Sequence, residues 1–505
     1  MRRAGVAGFT LIAARGRFVS SGGFPNRWAC VYSASDLTSE DKVIDVRKLT
    51  LIQTRGLLGE FNHRIPFPAD WTFVIMYGQN GVGKTRLLES VRSLITLQLY
   101  RLWSAPFASL SLQFDDGSRL SVFRGDHNEQ TLWSESYSDN PSVEEPADLT
   151  FSLTLEGQMV STCTIPFDKE GEVRFASWLD RHTTWYQVGD DLWEDTSDGE
   201  VVSYGSLRNR YQAIAQGTAR RNEIEEVSDD IRRFCDELKC HLIETQRLLT
   251  RSKYQQPSPS RSVSSRPSTT STVTEYSQDL EVRLNQALAT NSRITQQLDR
   301  SFPRRILIQP SVPGIDESEI RARYVAQNDR RTRLAALGLI EAQADFPLPD
   351  QEIEGWQQGV LRTYLDDTDK KLASFDDVLN KITLLEEIVN SRFLRKKISV
   401  NAQSGLTIRS ERSGRTLSPQ ALSSGEQHEL ILIYDLLFNV PPGSIVMIDE
   451  PEISLHVVWQ QRFLQDLTKV AKVASLRFVI ATHSPQIIHK SWNQTVELDA
   501  ELEQS

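Results

Sequence analysis

A chain of 505 residues, 39% hydrophobic and 25% charged, is long enough for two or more compact units and has the balance of an ordinary globular protein. A formal net charge of −10 argues against a uniformly basic nucleic-acid binder; it leaves local basic surfaces at Arg304-Arg305, Arg330–Arg333 and Arg395–Lys397, each read as a solvated helix face or end. No run reaches the roughly 18 apolar residues of a membrane span, and the four cysteines, Cys30, Cys163, Cys235 and Cys240, contain no CxxC pair, which fits a reducing cytoplasm.

Residues 1–42 carry no periodicity and are read as a disordered extension outside the fold. From Val43 to Phe67 the pattern predicts two strands joined by a turn, and Phe73–Tyr77 predicts a third. Next comes Gly78-Gln-Asn-Gly-Val-Gly-Lys-Thr85, and then Leu87, Leu88, Val91, Leu94 and Ile95 at helical spacing. Strand, glycine loop and helix together make a phosphate cradle. The loop turns successive backbone N–H groups inward, and the positive end of the following helix faces the same anion. This puts Gly78, Asn80, Gly81, Gly83, Lys84 and Thr85 around a nucleotide, with Lys84 reaching the β- and γ-phosphates and the Thr85 hydroxyl on Mg²⁺.

Further on, Leu110, Leu112 and Phe114, an Asp116-Gly117 turn, then Leu120 and Val122 predict a hairpin, and Leu149–Leu155 predicts more antiparallel sheet. Residues 206–238 read as charged helix, His241–Leu248 as a short buried strand, and the Ser/Pro-rich stretch 255–274 as a flexible loop. Helical patterns follow at 276–300, 317–344 and 351–395; in the last, Phe375, Val378, Leu379, Ile382, Leu385, Ile388 and Val389 form one apolar stripe, read as core. Lys397–Ser410 predicts a hairpin, Leu430–Leu437 an apolar helix, and Ser444–Ile448 and Phe478–Ala481 strands buried on both faces. Strands alternating with helices on both sides of the glycine loop imply a three-layer α/β sheet.

The last hundred residues supply partners for the loop. Ile445–Asp449 is an apolar strand that would set Asp449 beside the phosphates, to hold Mg²⁺ through water, with Glu450 next to it as general base. Leu422-Ser-Ser-Gly-Glu-Gln427 has the pattern of a helix N-terminus, with Ser423 or Ser424 as cap and Glu426 in the first turn. Cys235, Cys240 and His241 lie close together but lack the second ligand pair of a structural zinc site.

The order GQNGVGKT, LSSGEQ, IVMIDEPE, SLH and ATHSP resembles the ATP-binding-cassette (ABC) ATPases. Within them it is most similar to the soluble branch of structural-maintenance-of-chromosomes, RecF-like and overcoming-lysogenization-defect-like proteins and the ATPases of bacterial anti-phage systems. The resemblance implies a P-loop NTPase sheet with an antiparallel β subdomain and an inserted helical module. It makes Lys84 and Thr85 part of Walker A, and Asp449 and Glu450 the Walker B pair. Ser423 and Gly425 become a signature that touches the γ-phosphate held by another subunit; Glu452–His456 becomes the D-loop seam, and His483 a switch histidine. Catalytic roles fall to Glu450, His483 and Lys84.

ATP and Mg²⁺ are the expected ligands. The expected assembly is a homodimer or larger homo-oligomer, with a separate effector protein, a nuclease among the candidates; nucleic-acid binding is left open. The implied division is an extension at 1–42, an N-terminal ATPase lobe at 43–205, a helical insert at 206–396 and a C-terminal lobe at 397–505. The signature carries Ser424 where many relatives have glycine. Gln113 and Gln246 are candidates for the Q-loop, and Arg55 resembles an arginine of the soluble branch. Two other functions stay open: a nucleotide-dependent scaffold with negligible turnover, and a RecF-like DNA-repair ATPase; a nuclease in its own right is disfavoured, because the roughly twenty residues after His483 are too few for an appended domain.

Overall fold

The computed structural model describes residues 47–125, 147–167, 169–188, 192–197, 201–211, 226–244, 269–308, 317–341, 347–453 and 455–498. At its centre lies a five-stranded, all-parallel sheet in the order Cys240–Glu244, Ile445–Asp449, Arg477–Thr482, Phe73–Tyr77, Thr495–Glu497. The three inner strands, Ile445–Asp449, Arg477–Thr482 and Phe73–Tyr77, are nearly continuous apolar runs because both faces are covered, and successive side chains point to opposite faces. Phe73, Ile75, Ile243, Val446, Ile448, Phe478 and Ile480 enter a core made with helices Asp376–Asn390, Ser424–Tyr434, Phe463–Ala474 and the long helix Thr269–Ile308. Val74, Met76, Leu242, Ile445, Met447, Val479 and Ala481 enter a second core with helices Lys84–Ile95 and Asp229–Glu237 and an antiparallel sheet. The layers are those of a three-layer α/β fold.

The antiparallel sheet has six strands in the order Phe61–Pro66, Leu49–Leu57, Ser109–Phe114, Arg119–Arg124, Leu149–Leu155, Gln158–Ile165. Its last strand is an exposed edge, with Met159 and Val160 facing solvent. An edge with little buried on either face leaves no alternation to read, which explains why the sequence pattern stops at Leu155. Arg477 fastens this sheet to the base of the central one. Its guanidinium donates to the carbonyls of Leu49, Phe67, Pro68 and Trp71 at 2.7–3.2 Å and lies 3.6 Å from the centre of the Phe67 ring. Burial pulls its pKa down to about 10.

Several boundaries differ from the sequence pattern. The strand expected at His241–Leu248 is Cys240–Glu244, an edge of the central sheet, and helix Asp229–Glu237 packs in the core beside it, so both form part of the sheet body. The expected loop at 255–274 is helical from Thr269, where Val273 is drawn into the core, and residues 251–268 lie outside the described residues. The helical pattern at 351–395 is two helices, Gly355–Ala373 and Asp376–Asn390, with the stripe from Phe375 to Val389 buried as core. The apolar helix starts at Ser424, behind the expected cap, and its C-terminal part differs from the expected Leu430–Leu437 in running into a π-helical turn at Asp435–Asn439. Within the insert, Arg305 pairs with the buried Asp367, while Arg323 donates to Asp366 at 2.8 Å and Asp369 at 2.7 Å, so two of its arginines are structural ties between helices. No helix of the described residues is long and apolar enough to cross a membrane.

Beneath the helix that begins at Ser424, the Arg392 side chain lies wholly buried between Glu429 of that helix and Asp466 of helix Phe463–Ala474. Burial drives the Glu429 carboxyl up to about 7, against the pull of Arg392. Taking one member from a buried charged set leaves the others uncompensated, at about 3–5 kcal/mol. Arg392→Met should therefore lose about 3–5 kcal/mol of stability in urea unfolding. The triple variant Arg392→Met/Glu429→Leu/Asp466→Leu, which removes all three charges together, should recover most of that loss. An Arg392→Met protein as stable as the parent would contradict the assignment.

Candidate functional site

The glycine loop leaves the carboxyl end of strand Phe73–Tyr77 and enters helix Lys84–Ile95 through Gly83, which caps the helix at φ +87°. Two of its glycines answer to specific constraints. A Cβ on Gly78 would stand 2.5 Å from the Leu498 carbonyl oxygen, and one on Gly83 would stand 2.7 Å from Leu57 Cδ2, at a φ that side chains rarely adopt. Lys84 is buried and folds back over the loop, donating to the carbonyls of Gly78 at 2.8 Å and Gln79 at 2.9 Å. Burial lowers its pKa, opposed by the charges of Glu450, Asp449 and Glu452. The ammonium is thus held against the loop by two carbonyl oxygens.

The parallel register lays the ends of strands Phe73–Tyr77, Arg477–Thr482 and Ile445–Asp449 side by side, pairing Tyr77 with Thr482 and Ala481 with Asp449. Thr85 Oγ1 consequently donates to Asp449 Oδ2 at 2.8 Å, although 364 residues separate the two. Glu450 follows in a left-handed conformation, φ +45°, with its backbone N–H on the Ala481 carbonyl at 2.9 Å. A non-glycine residue held there is strained, and the hydrogen bond across to the neighbouring strand holds it. His483 stands at the end of the next strand, its ring half-exposed, with Nδ1 3.8 Å from Glu450 Oε1 and 3.1 Å from Glu452 Oε1.

Ser423, and not Ser424, caps the helix beyond the LSSGEQ stretch. Its Oγ accepts from the Glu426 N–H at 3.3 Å, and Glu426 Oε2 accepts from the Ser423 N–H at 2.7 Å. Lys396 donates to the same carboxylate oxygen at 2.8 Å and to the Ala421 carbonyl at 2.7 Å. Burial acts to raise the Glu426 carboxyl, but Lys396 and the Ser423 bonds outweigh it and hold it below its usual range. Gly425 faces Trp459, whose Cζ3 would lie 3.8 Å from an added Cβ. Among the described residues, no hydrogen bond or ion pair joins Ser423 or Gly425 to residues 78–85, so the structure brings together Lys84, Thr85, Asp449, Glu450 and His483 and leaves the capped helix apart from them.

Gln113 does not sit at this site. It pairs with Leu51 in the antiparallel sheet, four residues along the strand from Ser109, or about 13 Å further from the Leu57 end that packs on the loop. Its amide lies within reach of Gln53 and Arg119. Gln246 and Ser454 lie outside the described residues. Arg55 stands in the strand beside the loop, opposite Ser109.

Sequence reasoning missed two residues. His63, buried on strand Phe61–Pro66, is hydrogen-bonded through Nε2 to the Val82 carbonyl at 2.9 Å, bracing the loop from below; burial depresses its pKa. Nothing in a lone histidine on a strand foretells that contact. Glu452 falls in the stretch expected to form an outward seam, yet its carboxylate is buried and turned inward, while Ile453, Val457 and Val458 carry the exposure. The acidic pattern Asp449-Glu450-Pro451-Glu452 is the available signal.

Thr85 and Asp449 present a hydroxyl and a carboxylate oxygen 2.8 Å apart, hard donors that suit Mg²⁺. Among the described residues no three His, Cys, Asp or Glu side chains form a metal cage of their own, Cys235, Cys240 and His241 included. Two protein oxygens fit a cation that takes its remaining ligands from water and phosphate.

Comparison with known proteins gives partial matches. A family model described as "AAA domain, putative AbiEii toxin, Type IV TA system" matches residues 264–489, under half of the chain, a span that holds Ser423, Asp449, Glu450 and His483 but not the glycine loop. The Escherichia coli protein "Retron Ec83 probable ATPase" is 35% identical over 99 residues, covering 17% of this chain and 18% of that protein, so the chain matches less than a fifth of that relative's length. Among solved structures, the Smc head domain with an extended coiled coil bound to the C-terminal domain of ScpA, from Pyrococcus furiosus, is similar at a TM-score of 0.31 and 11% identity, covering 89% of this chain and 93% of that one. The SmcHead bound to the C-winged helix domain of ScpA is similar at 0.31 and 9%, covering 89% and 94%. Residues 264–489 are thus similar to an AAA-type ATPase domain, and the glycine loop and parallel sheet that accompany them make a P-loop α/β fold.

Proposed function

We propose that the chain binds ATP with Mg²⁺ and hydrolyses it, and that the hydrolysis cycle is completed between two copies. The observation that supports the reading is the Thr85–Asp449 hydrogen bond, which joins a hydroxyl and a carboxylate from the two motifs next to Lys84. Gly78, Asn80, Gly81 and Gly83 cradle the phosphates, and Lys84 exchanges its bonds to the Gly78 and Gln79 carbonyls for the β- and γ-phosphates. Thr85 and Asp449 would hold Mg²⁺, which when bound would supply charge neutralisation for phosphoryl transfer. Glu450 orients and deprotonates the attacking water, and His483 meets the terminal phosphate. Charge stabilisation and positioning supply the catalysis.

The Ser423 helix N-terminus supports the shared site. It is capped, with its first-turn carboxylate neutralised by Lys396, so it presents backbone N–H groups to an anion, yet among the described residues it bonds to nothing in its own loop. A second copy that brings its own phosphates there would use it. The defence setting and the control of a separate effector, a nuclease among the candidates, follow the partial likeness to a retron ATPase and the matched toxin-system model. They rest on likeness alone.

Two experiments test this reading. Glu450→Gln should bind ATP as the parent does and release phosphate ~10²–10⁴-fold more slowly, while its ATP-bound assembly persists in size-exclusion with light scattering; unchanged phosphate release would remove Glu450 as base. Second, Lys84→Ala and Ser423→Arg chains should each be inactive alone, and mixing them should restore about a quarter of parental turnover, as expected for one intact site in half of the twofold pairs. A mixture as inactive as its components would mean that the site is not shared.

A further inference from the structure

We propose that Glu452 is the positioning residue for His483, fixing its ring against the place of the nucleotide's terminal phosphate; the inference rests on the ATPase reading above. Glu452 lies in the 3-10 turn Pro451–Ile453, directly after the candidate base, and its side chain is 8% exposed. It reaches across to the end of the adjacent strand. Oε1 accepts from Thr482 Oγ1 at 2.8 Å and from the His483 N–H at 2.9 Å, and it faces the His483 ring at Nδ1 from 3.1 Å. Gln460 locks the turn from the other side. Its amide donates to the Glu452 carbonyl at 3.3 Å and to the Leu455 carbonyl at 3.1 Å, and its oxygen accepts from Ser484 Oγ at 2.9 Å. The histidine's backbone, its ring and the residues on either side are thus all held by one turn.

The chemistry follows from what a carboxylate can do. Nδ1 of His483 stands at ion-pair distance from the Glu452 carboxylate, which leaves Nε2 as the ring nitrogen that this carboxylate does not face. Glu450 Oε1, at 3.8 Å from the same Nδ1, is outside hydrogen-bond range, so the ring belongs to Glu452 and the two carboxylates divide the work. Glu452 Oε2 is buried without a hydrogen-bond partner among the described residues. A buried carboxylate oxygen without a donor is unfavourable. A tether that only held Thr482 and the His483 N–H would be served by a glutamine without that charge, so the charge points to the ring. Outer partners that orient a histidine through its second nitrogen typically change function by 10–100-fold when lost.

The test compares Glu452→Ala, Glu452→Gln, His483→Ala and the double variant Glu452→Ala/His483→Ala in the full chain, measuring kcat and KM for ATP and the affinity for ADP, which lacks the terminal phosphate. Glu452→Ala should lower kcat by ~10–100-fold and leave ADP affinity within about twofold of the parent. Glu452→Gln should recover part of the loss, because its amide oxygen still accepts from Thr482 and the His483 N–H. The double variant should be no slower than the slower single variant. Losses that multiply, or an ADP affinity that falls in step with kcat, would overturn the proposal. So would a Glu452→Ala chain that hydrolyses ATP at the parental rate, which would leave the ATPase reading standing; a parental chain that binds ATP without hydrolysing it would remove both.

Discussion

The register of the parallel sheet is the constraint on which the rest of the structure depends. With Tyr77 opposite Thr482 and Ala481 opposite Asp449, three strand ends from distant parts of the chain finish at the same level. A slip of one residue would turn every side chain to the other face and bury the carboxylates in one of two apolar cores. The alternation that fills both cores, Val446 and Ile448 to one side and Ile445 and Met447 to the other, therefore also holds Asp449 beside Thr85. Packing sets the register, and the register sets the chemistry.

Around that point the polar groups form an ordered series rather than a loose cluster. His63 braces the loop through Val82, Asp449 takes the Thr85 hydroxyl, Glu450 is held in a strained backbone by Ala481, and Glu452 gathers Thr482 and His483. Each acidic residue after strand Ile445–Asp449 has a different environment, which is how neighbouring carboxylates take separate roles. On the far face of the sheet, the buried Arg392 with Glu429 and Asp466 fixes the Ser423 helix to the sheet's supporting helices. The Ser423–Glu426 box and the Lys396 bridge hold the capped end of that helix in place.

Much of this was legible in the sequence, for physical reasons that differ from element to element. The central strands could be read because burial on both faces demands unbroken apolar runs such as Phe73–Tyr77 and Ile445–Asp449, and the loop because its phosphate geometry restricts residues at fixed spacing. Ser423 as cap was half legible, since two serines in a row offer the same oxygen and only the backbone chooses between them. The edge strand Gln158–Ile165 was not, because exposure erases alternation, and helix Thr269–Ile308 began inside a low-complexity stretch because its first turns are stabilised by tertiary burial of Val273. Gln113 fits a spacing but not a place: sequence order cannot say how far along a strand a side chain stands from the loop. Glu452 and His63 act through partners brought near only by folding.

The central claim is that Thr85 and Asp449 make one Mg²⁺-dependent nucleotide site with Lys84. Titration calorimetry of ATP into the full chain, with Mg²⁺ and with a chelator in its place, tests it most directly. The account predicts one ATP per chain, bound more tightly with Mg²⁺, and an Asp449→Ala chain in which that Mg²⁺ advantage is gone. ATP binding of equal strength with and without Mg²⁺ in the parent, or an Asp449→Ala chain with the full Mg²⁺ advantage, would contradict it.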